Sequence, residues 1–258
     1  MRTFILALII SLVSLITGCN SIPSSNEKVH RDMEESFVCD GKDVQELEIK
    51  NGVGEITLSK AEDRDINIYV KGKVSGDDMN KCKTILENMY INAVNENGKF
   101  TVDVKCKDNK DMNFWNWIEK NYKSYEVNIK LDVKVPEGIN VYKAEIGVGN
   151  VYLEEIKGEV SVKTGVGDAE LSKVILTNKS SVTTGTGNVS LDISDIENSQ
   201  EIKVTTGVGD INLSIPENSS YTIKSSGFMD DKLEEVVNGG KTLIDLKASV
   251  GDVVIDKK

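Results

Sequence analysis

Apolar and polar residues alternate over most of the chain beyond residue 40. Leu47/Ile49, Ile56/Leu58, Ile66/Ile68/Val70 and Phe100/Val102/Val104 keep a period of two, as does the longer run Val127/Ile129/Leu131/Val133/Val135. Period two with many β-branched residues predicts strands. Met79, Cys82, Leu86 and Met89 recur instead at helical spacing, with Asp77 or Asp78 where an N-cap belongs. This helix is expected across one end or flank of the sheet. Asn97-Gly98, between Ile91-Asn92-Ala93-Val94 and Phe100, predicts a hairpin turn.

The second half repeats itself. Ile146-Gly147-Val148-Gly149-Asn150, Thr164-Gly165-Val166-Gly167-Asp168, Thr184-Gly185-Thr186-Gly187-Asn188 and Thr206-Gly207-Val208-Gly209-Asp210 share one pattern. Degenerate copies stand at Ser226-Gly227-Phe228-Met229-Asp230 and Ser249-Val250-Gly251-Asp252, and an early relative at Gly52-Val53-Gly54-Glu55. Leading positions 147, 165, 185, 207, 227 and 249 are 18, 20, 22, 20 and 22 residues apart. Apolar pairs such as Val151/Leu153, Ala169/Leu171, Val189/Leu191 and Ile211/Leu213 follow the motifs, and Val162, Val182, Val204 and Leu246 precede them. One such strand pair cannot bury its apolar face alone, whereas stacked copies bury a continuous core. The expectation is an all-β fold, a single-stranded β-solenoid of about 20 residues per coil with a small helical insertion. Each coil would rise about 4.8 Å.

Stacking would align Asn150, Asp168, Asn188, Asp210 and Asp252 in a column. Its carboxylates, Asp168, Asp210 and Asp252, are a candidate weak calcium site, because Gly/Asp repeats sometimes hold that ion. Against this, two of the five members are neutral amides and the spacing is not that of the nonapeptide calcium repeat. The competing role is hydrogen bonding to backbone groups in the turn. Thr164, Thr184 and Thr206 would form a second column, beside Thr183 and Thr205. These hydroxyls either meet a glycan or bond each other and the turns.

Asn113-Phe114-Trp115-Asn116-Trp117-Ile118-Glu119-Lys120-Asn121-Tyr122 holds both tryptophans of the chain. Helical spacing puts Phe114, Trp117 and Ile118 on one face and Trp115 on another. The segment is expected to cap an open end of the solenoid. Phe114, Trp115, Trp117 and Tyr122 are also the candidate binding surface, since aromatics concentrate in interface hot spots.

At the N-terminus, Met1-Arg2 is followed by an apolar and small-residue run from Phe4 to Ile16, too short to span a bilayer, and by small residues before Cys19. This is signal-peptide order, and Leu15-Ile16-Thr17-Gly18-Cys19 resembles the lipobox of bacterial lipoproteins. The resemblance implies residues 1–18 as signal peptide and Cys19 as the lipid-attachment residue, anchored to the membrane by its acyl chains. Polar residues 19–36 are expected to form a flexible tether, leaving 37–258 as the domain, with 77–124 as its helix, hairpin and aromatic insertion.

The formal net charge is −11. Such a surface repels nucleic acid, which is excluded as a partner. His30 is the only histidine and lies in the expected tether, which excludes histidine-based catalysis and multi-histidine metal sites from the domain. Arg2, Arg31 and Arg64 are the only arginines, none of them in the repeats. After lipidation Cys39, Cys82 and Cys106 remain; an odd number without C-x-x-C spacing points to no zinc site, and leaves open either one Cys82–Cys106 bridge or buried thiols.

Taken together, the T-G-x-G-[DN] repeats, their alternating apolar flanks and Asn51-Gly52-Val53-Gly54-Glu55-Ile56 resemble the bacterial "putative adhesin" domain-of-unknown-function family. The resemblance covers about residues 37–258 and implies a β-solenoid, sometimes called the toastrack fold, with roles in surface adhesion or envelope-stress signalling and no catalytic residues or cofactors to carry over. We therefore expect a non-enzymatic lipoprotein on the extracytoplasmic face of the cell membrane. It would serve as a binding or scaffold module for an envelope protein or wall component. The alternative is an adhesin for glycan or protein; a polysaccharide-acting β-helix enzyme is the remote third reading.

Overall fold

A computed structural model describes residues 28–107, 112–196, 198–227 and 232–258. The expected signal peptide, Cys19 and the first part of the expected tether lie outside the described residues. The first strand, β1 (Val29–Asp40), starts earlier than the expected domain boundary at residue 37. Val29, Met33, Phe37 and Cys39 share one face of it, but Arg31 and Glu35 interrupt that face and hide the period in the sequence. His30 is thus part of a strand, exposed, with Nε2 3.7 Å from the Asp32 carboxylate.

The long strands β2 (Glu46–Lys60) and β3 (Asp65–Gly76) follow. Helix α1 (Met79–Asn88) is capped by Asp78, whose carboxylate accepts from the N–H groups of Asn80 and Lys81. It packs on β1 and β3, the flank position expected of it. β4 (Met89–Glu96) and β5 (Lys99–Cys106) form the anticipated hairpin, with both turn residues, Asn97 and Gly98, at positive φ. Then come α2 (Phe114–Asn121), β6 (Glu126–Val135) and β7 (Val141–Glu154). The repeats supply β8 (Lys157–Val166), β9 (Ala169–Leu176), β10 (Asn178–Thr186), β11 (Val189–Asp195), β12 (Ser199–Val208) and β13 (Ile211–Ile215). The chain closes with β14 (Tyr221–Ser226), β15 (Lys232–Val237), β16 (Thr242–Val250) and β17 (Val253–Lys257).

The described chain is therefore all-β apart from two short helices, and its strands join in one sheet. That sheet consists mainly of two ladders, with a short third pairing of β8 with β9 at Lys157–Ile175 and Gly158–Leu176. β2 and β7 run through both, bending at Gly52–Gly54 and Gly147–Gly149. One ladder runs β4, β5, β2, β7, β8, β10, β12, β16, β14, β15. The other runs β1, β3, β6, β2, β7, β9, β11, β13, β17. Pairing is parallel in the middle and antiparallel at β4–β5, β14–β15, β1–β3 and β3–β6. In register, Val102, Ile49, Ala144, Val162, Val182, Val204 and Leu246 form one inward column, and Leu131, Ile56, Val151, Ala169, Val189 and Ile211 another. Both columns belong to one buried core, the source of most of the driving force for folding.

Two features of this order differ from the sequence expectation. The copy at Ser249–Asp252 does not come last: β16 lies directly on β12, and β14 pairs with its far side. The chain skips one place, turns back through the β14–β15 hairpin and then fills the gap. The other copy, beginning at Ser226-Gly227, sits beyond Gly251, and its residues 228–230 lie outside the described residues. Second, the expected insertion at 77–124 is partly built into the sheet, because β5 extends the first ladder one place beyond β2.

Candidate functional site

The glycine motifs form the corner between the two ladders. A Cβ at Gly147, Gly165, Gly185 or Gly207 would lie 2.4–2.7 Å from the carbonyl oxygen of the preceding member, starting from Gly52. The second glycines, 54, 149, 167, 187, 209 and 251, hold φ of 135–146°, where only glycine is unstrained. Side chains are thus excluded from the second column and from the first at Gly147, Gly165, Gly185 and Gly207, while Ser249 takes the first-column place in β16; the backbones of successive copies close on each other there.

Beside the corner the Asx column is a hydrogen-bond ladder. Asn150 Oδ1 accepts from Asp168 N–H at 3.0 Å, and Asp168 Oδ1 from Asn188 N–H at 2.7 Å. Asn188 Oδ1 accepts from Asp210 N–H, and Asp210 Oδ1 from Asp252 N–H, both at 2.9 Å. Each step needs one carbonyl-type oxygen, which Asn and Asp supply equally, so the mixture of the two residues follows from the geometry. The backbone-bonding role is the one the geometry displays at Asp168 and Asp210, while Asp252 ends the ladder through its own N–H. Among the described residues no group of three or more His, Cys, Asp or Glu side chains is placed to hold a metal ion.

The threonine column points inward. Thr164, Thr184 and Thr206 are buried; Thr206 donates to the Gly187 carbonyl at 2.8 Å, and Thr184, with both Thr206 Oγ1 and the Gly187 carbonyl at 3.0 Å, donates its one proton within the same cluster. These hydroxyls cannot meet a glycan. Their outward neighbours are different: Lys163, Thr183, Thr205 and Lys247 stand side by side on the outer surface of the first ladder.

The aromatic segment folds as α2 on β5, with Asn113 as N-cap. Phe114 and Ile118 are buried, while Trp115, Trp117 and Tyr122 are half-buried. Trp115 lies over Gly52, where a Cβ would fall 2.3 Å from the indole ring, so the ring covers the outer end of the first glycine column. Trp117 bridges Phe114 (5.9 Å between centroids) and Tyr122 (4.9 Å), and Tyr122 meets Tyr125 edge-on at 5.8 Å. The structure thus brings the four predicted aromatics together. Sequence reasoning missed Tyr125, whose ring fills the space beside Gly76 and whose hydroxyl donates to Asp77. Burial and the Asp77 carboxylate raise its phenol far above the ordinary value. The three cysteines are free buried thiols, so the Cys82–Cys106 bridge left open by the sequence is not made.

One polar group is under-satisfied on the outer face of the second ladder. Asp132 Oδ1 is buried without a hydrogen-bond partner. Burial raises its carboxyl above the usual range, Lys134 opposes the shift and Glu55 adds to it. The folded chain therefore holds this proton more tightly than the unfolded chain does. Any stability this group contributes is present below its unfolded pKa and lost as pH rises through the raised folded value. Asp132→Asn is expected to raise the urea midpoint at pH 7, by about 1 kcal/mol in stability, and to give no gain at pH 3. Equal gains at both pH values would contradict the burial argument.

No family model matches the chain, and no curated protein matches it. Several solved structures resemble it in outline. A putative cell adhesion protein from Clostridium sporogenes is 19% identical, with a TM-score of 0.49 over 88% of this chain and 100% of that one. A putative lipid binding protein from Parabacteroides distasonis is 12% identical, with a TM-score of 0.30 over 87% of this chain and 96% of that one. A putative adhesin from Bacteroides fragilis is 13% identical, with a TM-score of 0.30 over 92% of this chain and 100% of that one.

Proposed function

We propose that the protein is a lipid-anchored binding or scaffold module on the extracytoplasmic face of the membrane, and that its glycine-cornered repeats wind as a β-solenoid. The solenoid reading is supported by successive copies, 18 to 22 residues apart, pairing in parallel and in register at Thr, Gly and Asx alike. The anchor reading rests on Leu15–Cys19 and its likeness to a lipobox. The observation that carries the binding reading is the outer surface of the first ladder. There Lys163, Thr183, Thr205 and Lys247 are held in a fixed row by backbone pairing rather than by contacts of their own, a pre-organised polar strip. We assign no residue a catalytic role: Asp168 and Asp210, the most regular carboxylates, are already engaged by backbone N–H groups.

The test is photo-crosslinking in cells from a probe at Thr205 and, separately, at Asn116, which is exposed on α2. Capture of one defined envelope protein or wall component from Thr205 is expected. Recovery of external glycan alone would replace this reading with adhesion, and no capture from either position would remove both.

A further inference from the structure

The corner carries a feature that the polar strip does not use. Val148, Val166, Val208 and Val250 are each 48–51% exposed, and register pairing puts them in one line with Thr186 between Val166 and Val208. The line spans four interstrand steps, about 19 Å. Glycines flank Val148, Val166, Thr186 and Val208 on both sides, and Val250 lies between Ser249 and Gly251, so little side-chain bulk stands beside the ridge. Its far end is closed, because Val53 is half-buried beside Gly52, which Trp115 covers. Past the second glycine column run Asp168, Asn188, Asp210 and Asp252, all exposed.

The chain contains its own controls for both columns. Thr186 occupies the ridge position without disturbing the register, so folding does not require valine there. Asn150 and Asn188 make the same ladder bond as the aspartates, so folding does not require a carboxylate. What remains once the fold is satisfied is an apolar line with negative charge along one side. Lys163 and Lys247 lie on the opposite side and fix the orientation in which a charged partner can dock. A second copy of this chain would bring two aspartate columns together on a protein of net charge −11, which opposes self-pairing.

We propose that the valine ridge with its Asp168–Asp210–Asp252 flank docks a basic amphipathic helix of a partner protein. Its apolar side would lie on the valines and its lysines or arginines beside the aspartates. About 13 helical residues cover the ridge at ~1.5 Å per residue. The proposal rests on the binding-module reading and names a partner class for it.

The test uses the full chain with Cys19→Ala, so that no lipid is attached. The probe is a fluorescent 18-residue Leu/Lys peptide with leucines at helical spacing, and the controls are its scrambled version and a Leu/Glu version. Anisotropy should show the basic helix binding at least tenfold tighter than either control. Replacing all four valines by Thr should weaken it at least tenfold. Asp168→Asn with Asp210→Asn should weaken it severalfold and flatten its salt dependence, with melting unchanged in both variants. Equal binding of all three peptides, no binding of the basic one, or an unaltered affinity in the valine variant would overturn the proposal. So would sedimentation showing a dimer that the valine substitutions dissolve, which would assign the ridge to a second copy. Crosslinking from Thr205 in the valine variant separates the two levels. If it persists there while the wild-type protein fails to bind the basic peptide, the binding module stands and the ridge assignment falls.

Discussion

Gly187→Ala should unfold the protein or come close to it, whereas Thr186→Val, one residue away, should leave the melting curve almost unchanged. At Gly187 the backbone holds φ of 146°, and an added Cβ would sit 2.0 Å from the Gly167 carbonyl oxygen. That oxygen belongs to backbone, so no rotamer change relieves the clash. The strand must move, and with it the Gly187 N–H that donates to the Val208 carbonyl at 2.8 Å. Strain of this kind together with a lost backbone bond costs about 3–5 kcal/mol, a large part of the stability of an ordinary domain. Position 186 points outward between two glycine columns and accepts either residue. Urea titrations of the two variants check the contrast, and a Gly187→Ala midpoint within experimental error of wild type would show that the corner is slack.

That contrast also explains why part of this fold was legible in the sequence. Glycine recurs at 147/149, 165/167, 185/187 and 207/209 because a Cβ there would meet the backbone of the preceding copy, and a constraint repeated so often leaves a visible period, even though Ser249 departs from it. The inward columns were legible for the same reason: Val162, Val182, Val204 and Leu246 each fill the equivalent place in the core. The turn at Asn97-Gly98 and the cap at Asp78 are local devices, readable from a few residues. What stayed hidden was non-local. Nothing within Thr242–Val250 says that it lies between β12 and β14, because every copy carries the same inward pattern and each could sit on any other. Trp115 had no local sign that its partner would be Gly52, more than sixty residues upstream. In the Asx column the amides Asn150 and Asn188 were informative in the sequence, since they pointed to a role that needs only an acceptor oxygen, and the bonds accepted by Asn150, Asp168, Asn188 and Asp210 have that form. Val148, Val166 and Val208 were in plain view as the middle residue of a Gly-x-Gly, and Val250 as that of Ser-Val-Gly, but alternation alone does not tell an outward valine from an inward one.

The inserted position of β16 leads to the second large effect. In an array whose copies stack in chain order, removing the last copy exposes one new end and leaves the rest standing. Here, truncation after Lys241 takes a strand out of the interior of a ladder. Ile244, Leu246 and Ala248 are buried and lie between Ile202/Val204/Thr206 on one side and Ile223/Ser225 on the other. Their removal leaves β14 without its parallel partner, exposes Tyr221 and Ile223, and strips the cover from Ile211 and Leu213, which pair with Val253 and Ile255. Loss of Ile244 and Leu246 alone forfeits about 4 kcal/mol of apolar burial. A hairpin such as β14–β15 is at best marginally stable by itself. Hydrogen exchange should therefore show residues 221–237 exchanging like an unfolded peptide in the chain ending at Lys241. The longer truncation, after Ser220, should protect β8–β11 as well as the shorter one does, because the hairpin it also removes is already lost. If the chain ending at Lys241 kept its hairpin protected, the hairpin would have to dock on β12 in the place of β16. The order of the ladder would then be set by whichever strand is available rather than by the sequence of β16 itself.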